Sequence, residues 1–398
     1  MPSTVYLTLR KVISQTDMSQ NLKKRTAPRS RASLIVLITL ALLLMVAAIV
    51  LVVSLPDDQA WQLPTTAETD LDLGQSGFAC AASEAQQIYP FGTGVVKLSS
   101  SSVVMLNING AEQFAVDLDY SAPFAVSNGQ YFLAADREGH AFVMIDSQGE
   151  RFRGTLDGRI SGASISAEGY LAIVEDINDS TGIVKIYDPK GSLLFYVDLP
   201  NAGFVLSVSF PAGENSFDVA LVNVAEAAAK PVIKRFSLTG QAIGQRIPDL
   251  SEIYPLIAYD EQGNPVLCSA SHLAALSYNS DTLIWQQSFQ QILAVKTADA
   301  GLVVAATSLQ DGQSNISLIN ADGQIKTSQK ISESLTNLEV LGNLAAIGSG
   351  TQVLVTDFTA GKTVLERNVG AEVIRVGFAG ESKLTVVTRT GVLSLSLK

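Results

Sequence analysis

The sequence is poor in the side chains that most catalytic and metal sites require. Its 398 residues include only two histidines, His140 and His272, and two cysteines, Cys80 and Cys268. It contains no His-Glu-x-x-His, Gly-x-Ser-x-Gly or phosphate-loop motif, so the usual signatures of zinc hydrolysis, of a nucleophile elbow and of nucleotide binding are missing. Each histidine directly precedes a predicted third strand, which favours an exposed turn over a catalytic base. A Ser-His-Asp hydrolase stays open, because triad residues meet in space rather than along the chain.

Two cysteines are too few for a disulfide framework. Cys80 and Cys268 are 188 residues apart, and Cys268 lies in the apolar stretch NPVLCSA, which is typical of a buried free thiol. A bridge between the two remains possible at this stage, since spacing alone does not establish disulfide geometry.

Charge is also scarce, and it is unevenly distributed. Charged residues make up 16% of the chain against 47% hydrophobic residues, a composition that excludes a disordered protein and predicts a sizeable core. After residue 32 there are 20 basic and 37 acidic residues, a net charge of −17. A surface this acidic repels nucleic acid, so we expect no nucleic-acid partner.

One long hydrophobic run is present, from residue 33 to residue 55, with no charge, glycine or proline. As a helix it would be roughly 34 Å long, enough to cross a hydrocarbon core of about 30 Å. Seven basic residues and one acid precede it, and acids follow it, which places the N-terminus in the cytoplasm. The sequence therefore predicts a single-pass anchor in the lipid bilayer, with a cleavable secretory signal as the alternative.

The remainder of the chain repeats one plan. An alternating apolar strand, a polar turn and a second strand recur seven times, as in IYDPKGSLLFYVDL at 186–199, and the turn ends in glycine in every copy but the fifth, where Ser280 replaces it. The turn glycines Gly110, Gly149, Gly191 and Gly240 are separated by 39, 42 and 49 residues, and the set continues through Gly323 and Gly361 with a mean period of about 42. Two further strand signals precede each hairpin. Four short strands per repeat predict a β-propeller blade, because one sheet cannot bury both of its faces without neighbours.

The two ends of the repeat region determine the predicted number of blades. The last repeat has only three strands (373–378, 383–389 and 392–398), and GFACAAS at 77–83 lies upstream of the first complete repeat. Pairing these segments closes eight blades, whereas the length from residue 86 divided by the period gives about 7.5 and leaves seven as the alternative. We therefore predict a basic cytoplasmic tail (1–32), a transmembrane helix (33–55), an extracellular stalk with a possible ring-closing strand (56–85) and an all-β propeller (86–398).

The sequence resembles quinoprotein-like propellers. ALSYNSDTLIWQ at 275–286 is similar to their strand-turn-Trp signature, and IYDPKG, MIDSQG and LINADG are similar to their Asp-x-x-Gly turn. The whole layout resembles an uncharacterised family of membrane-anchored propellers of Gram-positive bacteria, which implies a fold and a location but no activity. The adjacent cysteine pair that quinone-dependent dehydrogenases share is missing, so we expect no cofactor and interpret Trp285 as docking between blades.

Two surface loops are candidate contact sites. EDINDSTG at 175–182 offers the carboxylates of Glu175, Asp176 and Asp179, but it does not match the spaced calcium-binding loop, so a solvated loop is expected. The longest repeat inserts AEAAAK at 225–230, where Glu226 and Lys230 have the spacing of a helix-surface ion pair. Both loops are candidates for binding a partner.

These observations favour a non-enzymatic scaffold that binds an extracellular protein or envelope component. Rigid blades would hold the loops in place, so little loop entropy would be lost on association. The alternative is an envelope enzyme, of hydrolase or lyase type, with its site at the propeller axis. That alternative requires titratable groups that converge in a concave pocket.

Overall fold

The computed structural model describes residues 76–397, apart from 138, 178–181, 200–201, 225–228, 278–279 and 332–333. The predicted cytoplasmic tail (1–32), the predicted transmembrane helix (33–55) and the predicted stalk up to residue 75 lie outside these residues. Within the described ranges, no helix has the length and apolar character needed to cross a bilayer.

The described residues form eight antiparallel sheets of four strands each. The chain begins with β1 (Gly77–Ala79) and the short helix α1 (Ala82–Ala85). Blade 1 contains β2 (Ile88–Phe91), β3 (Gly94–Leu98), β4 (Ser102–Leu106) and β5 (Glu112–Asp117). Blade 2 contains β6 (Pro123–Ser127), β7 (Phe132–Asp136), β8 (Ala141–Asp146) and β9 (Gly149–Thr155). Blade 3 contains β10 (Arg159–Ile165), β11 (Leu171–Asp176), β12 (Ile183–Tyr187) and β13 (Leu193–Asp198). Blade 4 contains β14 (Phe204–Ser209), β15 (Ser216–Asn223), β16 (Lys230–Ser237) and β17 (Ala242–Arg246).

The second half of the ring follows the same order. Blade 5 contains β18 (Leu256–Tyr259), β19 (Pro265–Cys268), β20 (His272–Leu276) and β21 (Leu283–Ser288). Blade 6 contains β22 (Gln291–Ala298), β23 (Gly301–Thr307), β24 (Ser314–Ile319) and β25 (Ile325–Lys330). Blade 7 contains β26 (Leu335–Leu341), β27 (Leu344–Ser349), β28 (Gln352–Asp357) and β29 (Lys362–Asn368). Blade 8 contains β30 (Val373–Phe378), β31 (Lys383–Thr388) and β32 (Gly391–Ser396), and β1 is its fourth strand.

The sheets close into an eight-bladed β-propeller, which confirms the predicted fold and decides against seven blades. Each blade contacts the next mainly through its first strand, and β30 of blade 8 contacts β2 of blade 1. The ring-closing strand is also confirmed, since β1 pairs with β32 and Phe78 lies opposite Val392. Because the first strand of the ring completes the last sheet, the ring joins its two ends by backbone hydrogen bonds.

Burial follows the position of each strand within its blade. Every residue of the second strands β7 (Phe132–Asp136) and β19 (Pro265–Cys268) is buried, because both faces of these strands are covered by neighbouring blades. The fourth strands, such as β13 (Leu193–Asp198), are mostly exposed at the rim. The core therefore consists of the layers between blades rather than of one central cluster.

Four turn glycines of the repeat, Gly110, Gly191, Gly240 and Gly323, receive the aromatic side chain of the preceding blade. Gly323 has φ 76°, and a Cβ added there would lie 2.5 Å from Trp285 Cγ. Trp285 Nε1 also donates to Ala321 O at 2.8 Å, which confirms that this tryptophan docks between blades. Gly191 meets Phe152 in the same way, and a Cβ would again approach to 2.5 Å. These turns need glycine both for backbone conformation and for space.

The ring has two distinct ends. We call the end where first strands turn into second strands, and third into fourth, the hairpin face. The opposite end carries the turns between second and third strands and the connections between blades, and we call it the reverse face. Cys80 and Cys268 are both free thiols, so the possible bridge between them is not formed.

Candidate functional site

A cavity of about 450 Å³ opens at the hairpin face, beside the propeller axis. It lies between the first strands of blades 1, 6, 7 and 8 and the first turn of blade 2. Its lining combines aromatic, amide and charged side chains, including Tyr89, Asn128, Lys296, Asn337, Glu339 and Arg375. This mixture of an apolar wall with a few polar groups is typical of a ligand-binding cleft.

The charged groups of the cavity are already engaged with one another or with the wall. Lys296 Nζ lies 3.2 Å from both carboxylate oxygens of Glu339, its counterpart on the neighbouring first strand. Asn337 Oδ1 accepts a hydrogen bond from Val376 N at 2.8 Å and so links blade 7 to blade 8. The ion pair neutralises both charges, so Glu339 does not act there as a free acid.

Arg375 is the most constrained cation of this cavity. Its Nη1 donates to Ile88 O at 3.1 Å and to Ala85 O at 3.4 Å, and its guanidinium carbon lies 4.1 Å from the centre of the Tyr89 ring. Burial lowers the pKa of Arg375, but an arginine remains protonated at neutral pH. Arg375 therefore fixes the position of blade 8 against blade 1 and leaves a positive charge beside the cavity.

The two histidines do not form a hydrolytic triad. His140 is exposed, as predicted, and its Nδ1 lies 2.6 Å from Gly158 O. His272 is half-buried at the start of β20. Its Nδ1 lies 2.8 Å from Glu252 Oε1 and 3.0 Å from Ser271 Oγ, so the acid and the serine contact the same ring nitrogen. A triad needs the nucleophile and the acid on opposite nitrogens of the ring, so this arrangement does not activate the serine.

The acidic loop differs from the predicted solvated loop at its first residue. Glu175 is fully buried, with Oε1 accepting from Gly158 N at 2.6 Å and Oε2 2.8 Å from Lys185 Nζ. Burial raises the pKa of Glu175, but the hydrogen bonds from Lys185 and Gly158 outweigh this effect and leave the pKa below its ordinary value. The prediction was wrong for Glu175, because Lys185, two residues beyond its partner on the neighbouring strand, holds the carboxylate in the interior. The buried Glu175 therefore has no surface to offer a partner.

Two of the other candidate residues, Asp176 and Lys230, lie near the reverse face. Asp176 is half-buried at the end of β11 and accepts from Ser161 Oγ at 3.1 Å. Lys230 begins β16, so the strand starts at the last residue of the predicted helical turn. Asp179 and Glu226 lie outside the described residues. No group of three or more potential metal ligands gathers in the part of the chain that the structure describes.

Exposed apolar side chains lie at the reverse-face ends of blades 4 and 5. Phe204 begins the first strand of blade 4 and is 50% exposed, and Val224, 52% exposed, directly precedes the 225–230 insertion. Ile253 lies in the connection to blade 5 and Leu256 begins its first strand, and they are 52% and 58% exposed. We call these four residues the reverse-face patch. Sequence reasoning missed it, because an apolar residue at a strand end looks the same whether it is covered or exposed.

Sequence reasoning also missed a buried ion pair in blade 4. Asp218 and Arg235 lie directly opposite each other on β15 and β16, and Arg235 donates to Asp218 through Nε at 2.8 Å and Nη2 at 2.5 Å. Tyr259 of blade 5 donates to the same carboxylate at 3.0 Å. The available signal was a lone acid, Asp218, in the apolar strand β15 and two adjacent cations, Lys234 and Arg235, within β16.

A family model described as "Family of unknown function (DUF5711)" matches residues 75–397. Among curated proteins no relative matches. The crystal structure of the computationally designed Ika8 protein is similar over 81% of this chain and 97% of that chain, with 15% identity and a TM-score of 0.58. Saccharomyces cerevisiae Sqt1 is similar over 81% of this chain and 98% of that chain, with 13% identity and a TM-score of 0.56. BamB from Moraxella catarrhalis, at 13% identity over 81% of this chain and 100% of that chain, gives a TM-score of 0.47. At identities this low, the similarity to Ika8 and Sqt1 shows a shared fold alone.

Proposed function

The chain belongs to the DUF5711 family of unknown function, and we propose that it is a membrane-anchored, extracellular propeller that acts as a non-enzymatic, protein-binding scaffold at the cell envelope. The observation that carries the proposal is the reverse-face patch, in which four large apolar side chains are 50–58% exposed on two neighbouring blades. Single exposed apolar residues are ordinary, but a group of them bordered by polar loops is typical of protein interaction sites.

The setting of the patch supports recognition of a folded or extended protein. Phe204 and Leu256 each begin a first strand, so the ring fixes their backbones before any partner arrives. A preformed apolar centre with a polar rim loses little entropy on binding and is the usual anatomy of an interface. Asp176 and Lys230, at the reverse-face ends of β11 and β16, would form part of that rim.

The hairpin-face cavity also supports binding rather than acid-base chemistry. Lys296 and Glu339 neutralise each other, and Arg375 is held by two backbone carbonyls. A general acid or base needs a free proton-transfer position within reach of a substrate. The engaged groups of this cavity are better suited to orienting a bound segment through hydrogen bonds.

The anchor and the orientation are proposed from the sequence. Residues 33–55 would cross the bilayer, the basic tail 1–32 would stay in the cytoplasm, and the acidic propeller would lie outside. The test is an impermeant biotinylation reagent on intact cells that make the full chain. Modified propeller lysines with an unmodified N-terminal tail would support this topology, and the reverse pattern would overturn it.

Proximity labelling from the full-length chain in intact cells tests the scaffold role. We expect a small set of envelope proteins that is lost in Phe204→Asp/Leu256→Asp. Leu309→Asp is the matched control, because Leu309 is 63% exposed on the same face but outside the patch. Equal labelling by the wild-type chain, the double variant and Leu309→Asp, all of equal thermal stability, would contradict the proposal.

Deletion of residues 225–230 tests the insertion as a peripheral contact. We expect weaker but not abolished capture of the same proteins, because a rim residue contributes less than the centre of an interface. Unaltered capture would remove the insertion, with Glu226 and Lys230, from the proposed surface.

A further inference from the structure

One edge of the Arg375 guanidinium has no partner in the part of the chain that the structure describes. Nη1 donates to the carbonyls of Ala85 and Ile88, and the plane of the group lies on the Tyr89 ring. Nε and Nη2 form no hydrogen bond with the described residues, and they are not sealed from solvent. Arg375 lines the hairpin-face cavity, so a molecule held there comes within reach of this edge.

Other arginines of the chain use the same edge to hold a carboxylate. Arg235 donates to Asp218 through Nε at 2.8 Å and Nη2 at 2.5 Å. Arg153 pairs with Glu150 in the same way, through Nε at 2.7 Å and through Nη2. Two parallel N–H groups match the two oxygens of a carboxylate, which gives a bidentate pair. Arg375 presents these two donors to the cavity, and no described residue supplies it with a carboxylate.

The charges of the cavity favour an anion that carries a single charge. Among the described lining residues, Lys296, Glu339 and Arg375 are charged, which gives 2 − 1 = +1. Lys296 and Glu339 neutralise each other, so Arg375 contributes the net charge. The chain after residue 32 carries −17, so this cavity is a positive point on an acidic domain. One carboxylate balances a charge of +1, whereas a phosphate dianion would keep an uncompensated negative charge.

The depth of the donors indicates which part of a ligand meets them. Asn337, Glu339 and Leu341 alternate along β26 and all line the cavity. Since β26 runs towards the hairpin face, Leu341 lies at the mouth and Asn337 about 13 Å deeper, at roughly 3.3 Å per residue. Asn337 lies at the depth of Arg375, because its Oδ1 accepts from Val376 N. A ligand therefore enters with its anionic end first and keeps an apolar part beside Leu341.

We propose that the hairpin-face cavity binds a terminal carboxylate group, which pairs with Nε and Nη2 of Arg375 and accepts a further hydrogen bond from the Asn337 amide. The cavity volume of about 450 Å³ lies within the range of roughly 300–1,000 Å³ that is typical of small-molecule sites. Such a volume accommodates the last residues of an extended peptide or a free organic acid. The inference rests on the binding role proposed for this cavity, and it does not involve the reverse-face patch.

A titration of the detergent-solubilised full chain, followed by ligand-observed NMR, tests the site. The probes are the tripeptide N-acetyl-Ala-Ala-Leu with a free carboxylate, the same tripeptide as its C-terminal amide, and hexanoate. We expect the free carboxylate to bind at least about tenfold more tightly than the amide, because the amide forfeits a charge-assisted bidentate pair. Equal binding of hexanoate and the tripeptide assigns the site to free acids, and weaker binding of hexanoate assigns it to a chain terminus. Either result supports a carboxylate site.

Substitutions in the lining identify the residues that hold the carboxylate. Arg375→Gln should remove the preference for the free carboxylate over the amide, and Arg375→Lys, which keeps the charge but lacks the two-donor edge, should restore only part of it. Arg389→Gln is the matched control, because it removes the same charge from blade 8 at a reverse-face side chain that is 63% exposed. Glu339→Gln frees Lys296 and changes the net charge of the lining from +1 to +2, so it should tighten carboxylate binding several-fold.

The tightening by Glu339→Gln keeps the proposal testable even if Arg375→Gln does not fold, because a damaged fold does not produce a gain in affinity. Equal affinity of the tripeptide and its amide, absence of binding by all three probes, or weaker carboxylate binding by Glu339→Gln would overturn the proposal. Tighter binding of inorganic phosphate than of the tripeptide would overturn it as well. These titrations leave Phe204 and Leu256 unaltered, so the carboxylate site and the reverse-face scaffold can fail separately.

Discussion

Loss of the Asp218 carboxylate should destabilise the propeller far more than loss of an exposed acid. Asp218 is fully buried, and it accepts two hydrogen bonds from Arg235 and one from Tyr259 of the next blade. Burial, and then the Asp218 charge, raise the pKa of Tyr259 well above its ordinary value, so the phenol stays protonated and remains a donor. One carboxylate thus holds two strands of blade 4 and connects them to blade 5.

The size of the effect follows from what Asp218→Ala leaves behind. Arg235 is 1% exposed, and removing the principal counter-ion of a buried cation typically costs about 3–5 kcal/mol. For a domain of this size the melting temperature should fall by on the order of 5–10 °C. Asp218→Leu/Arg235→Met, which removes both charges and keeps apolar volume, should recover a large part of the loss.

Differential scanning calorimetry of the variants measures these shifts directly. Glu372→Ala is the control, because it breaks an ion pair of similar length, with 2.9 Å between Glu372 and Arg389. The two side chains are 49% and 63% exposed, so this pair contributes less than about 1 kcal/mol to stability. If Asp218→Ala melts within about 2 °C of Glu372→Ala, the buried pair is not what joins these blades and the reasoning fails.

Two further variants test the repeat and its pH dependence. Gly323→Ala should lower the stability of the propeller by more than Gly361→Ala does, because both positions have positive φ but only Gly323 places a new Cβ 2.5 Å from Trp285. Urea unfolding curves of the two variants with equal midpoints would contradict the docking argument. Glu175 has a lowered pKa in the fold, so its contribution is present above the unfolded-state value near 4.3 and is lost as the pH falls through the folded value. The melting temperatures of wild type and Glu175→Gln should therefore differ at pH 7 and converge towards pH 3, and a difference that grows in acid would refute the assignment.

The repeat was predictable from the sequence because its signals are local. Alternating apolar residues and a turn glycine such as Gly191 lie within about 14 residues of each other, and the same spacing recurs. The closing pair of β1 and β32 was predictable for a different reason, since a three-stranded last repeat lacks one strand and GFACAAS supplies it.

The parts that escaped prediction depend on contacts between distant residues. Arg375 contacts Ile88, 287 positions away, and Lys296 pairs with Glu339 of the next blade, so no local sequence pattern predicts the cavity. Glu175 looked like a loop residue because its partner Lys185 lies on the next strand, β12, and the pairing of the two strands is not visible in the sequence.

Site-specific photo-cross-linking from Val224 in intact cells tests the central claim most directly. Val224 belongs to the reverse-face patch and is 52% exposed, and Lys362, exposed on the rim of blade 7, is the control position. The scaffold proposal predicts one dominant cross-linked protein from position 224, sensitive to Phe204→Asp and absent from position 362. Cross-links from position 224 that are absent, or that match those from position 362, would contradict it.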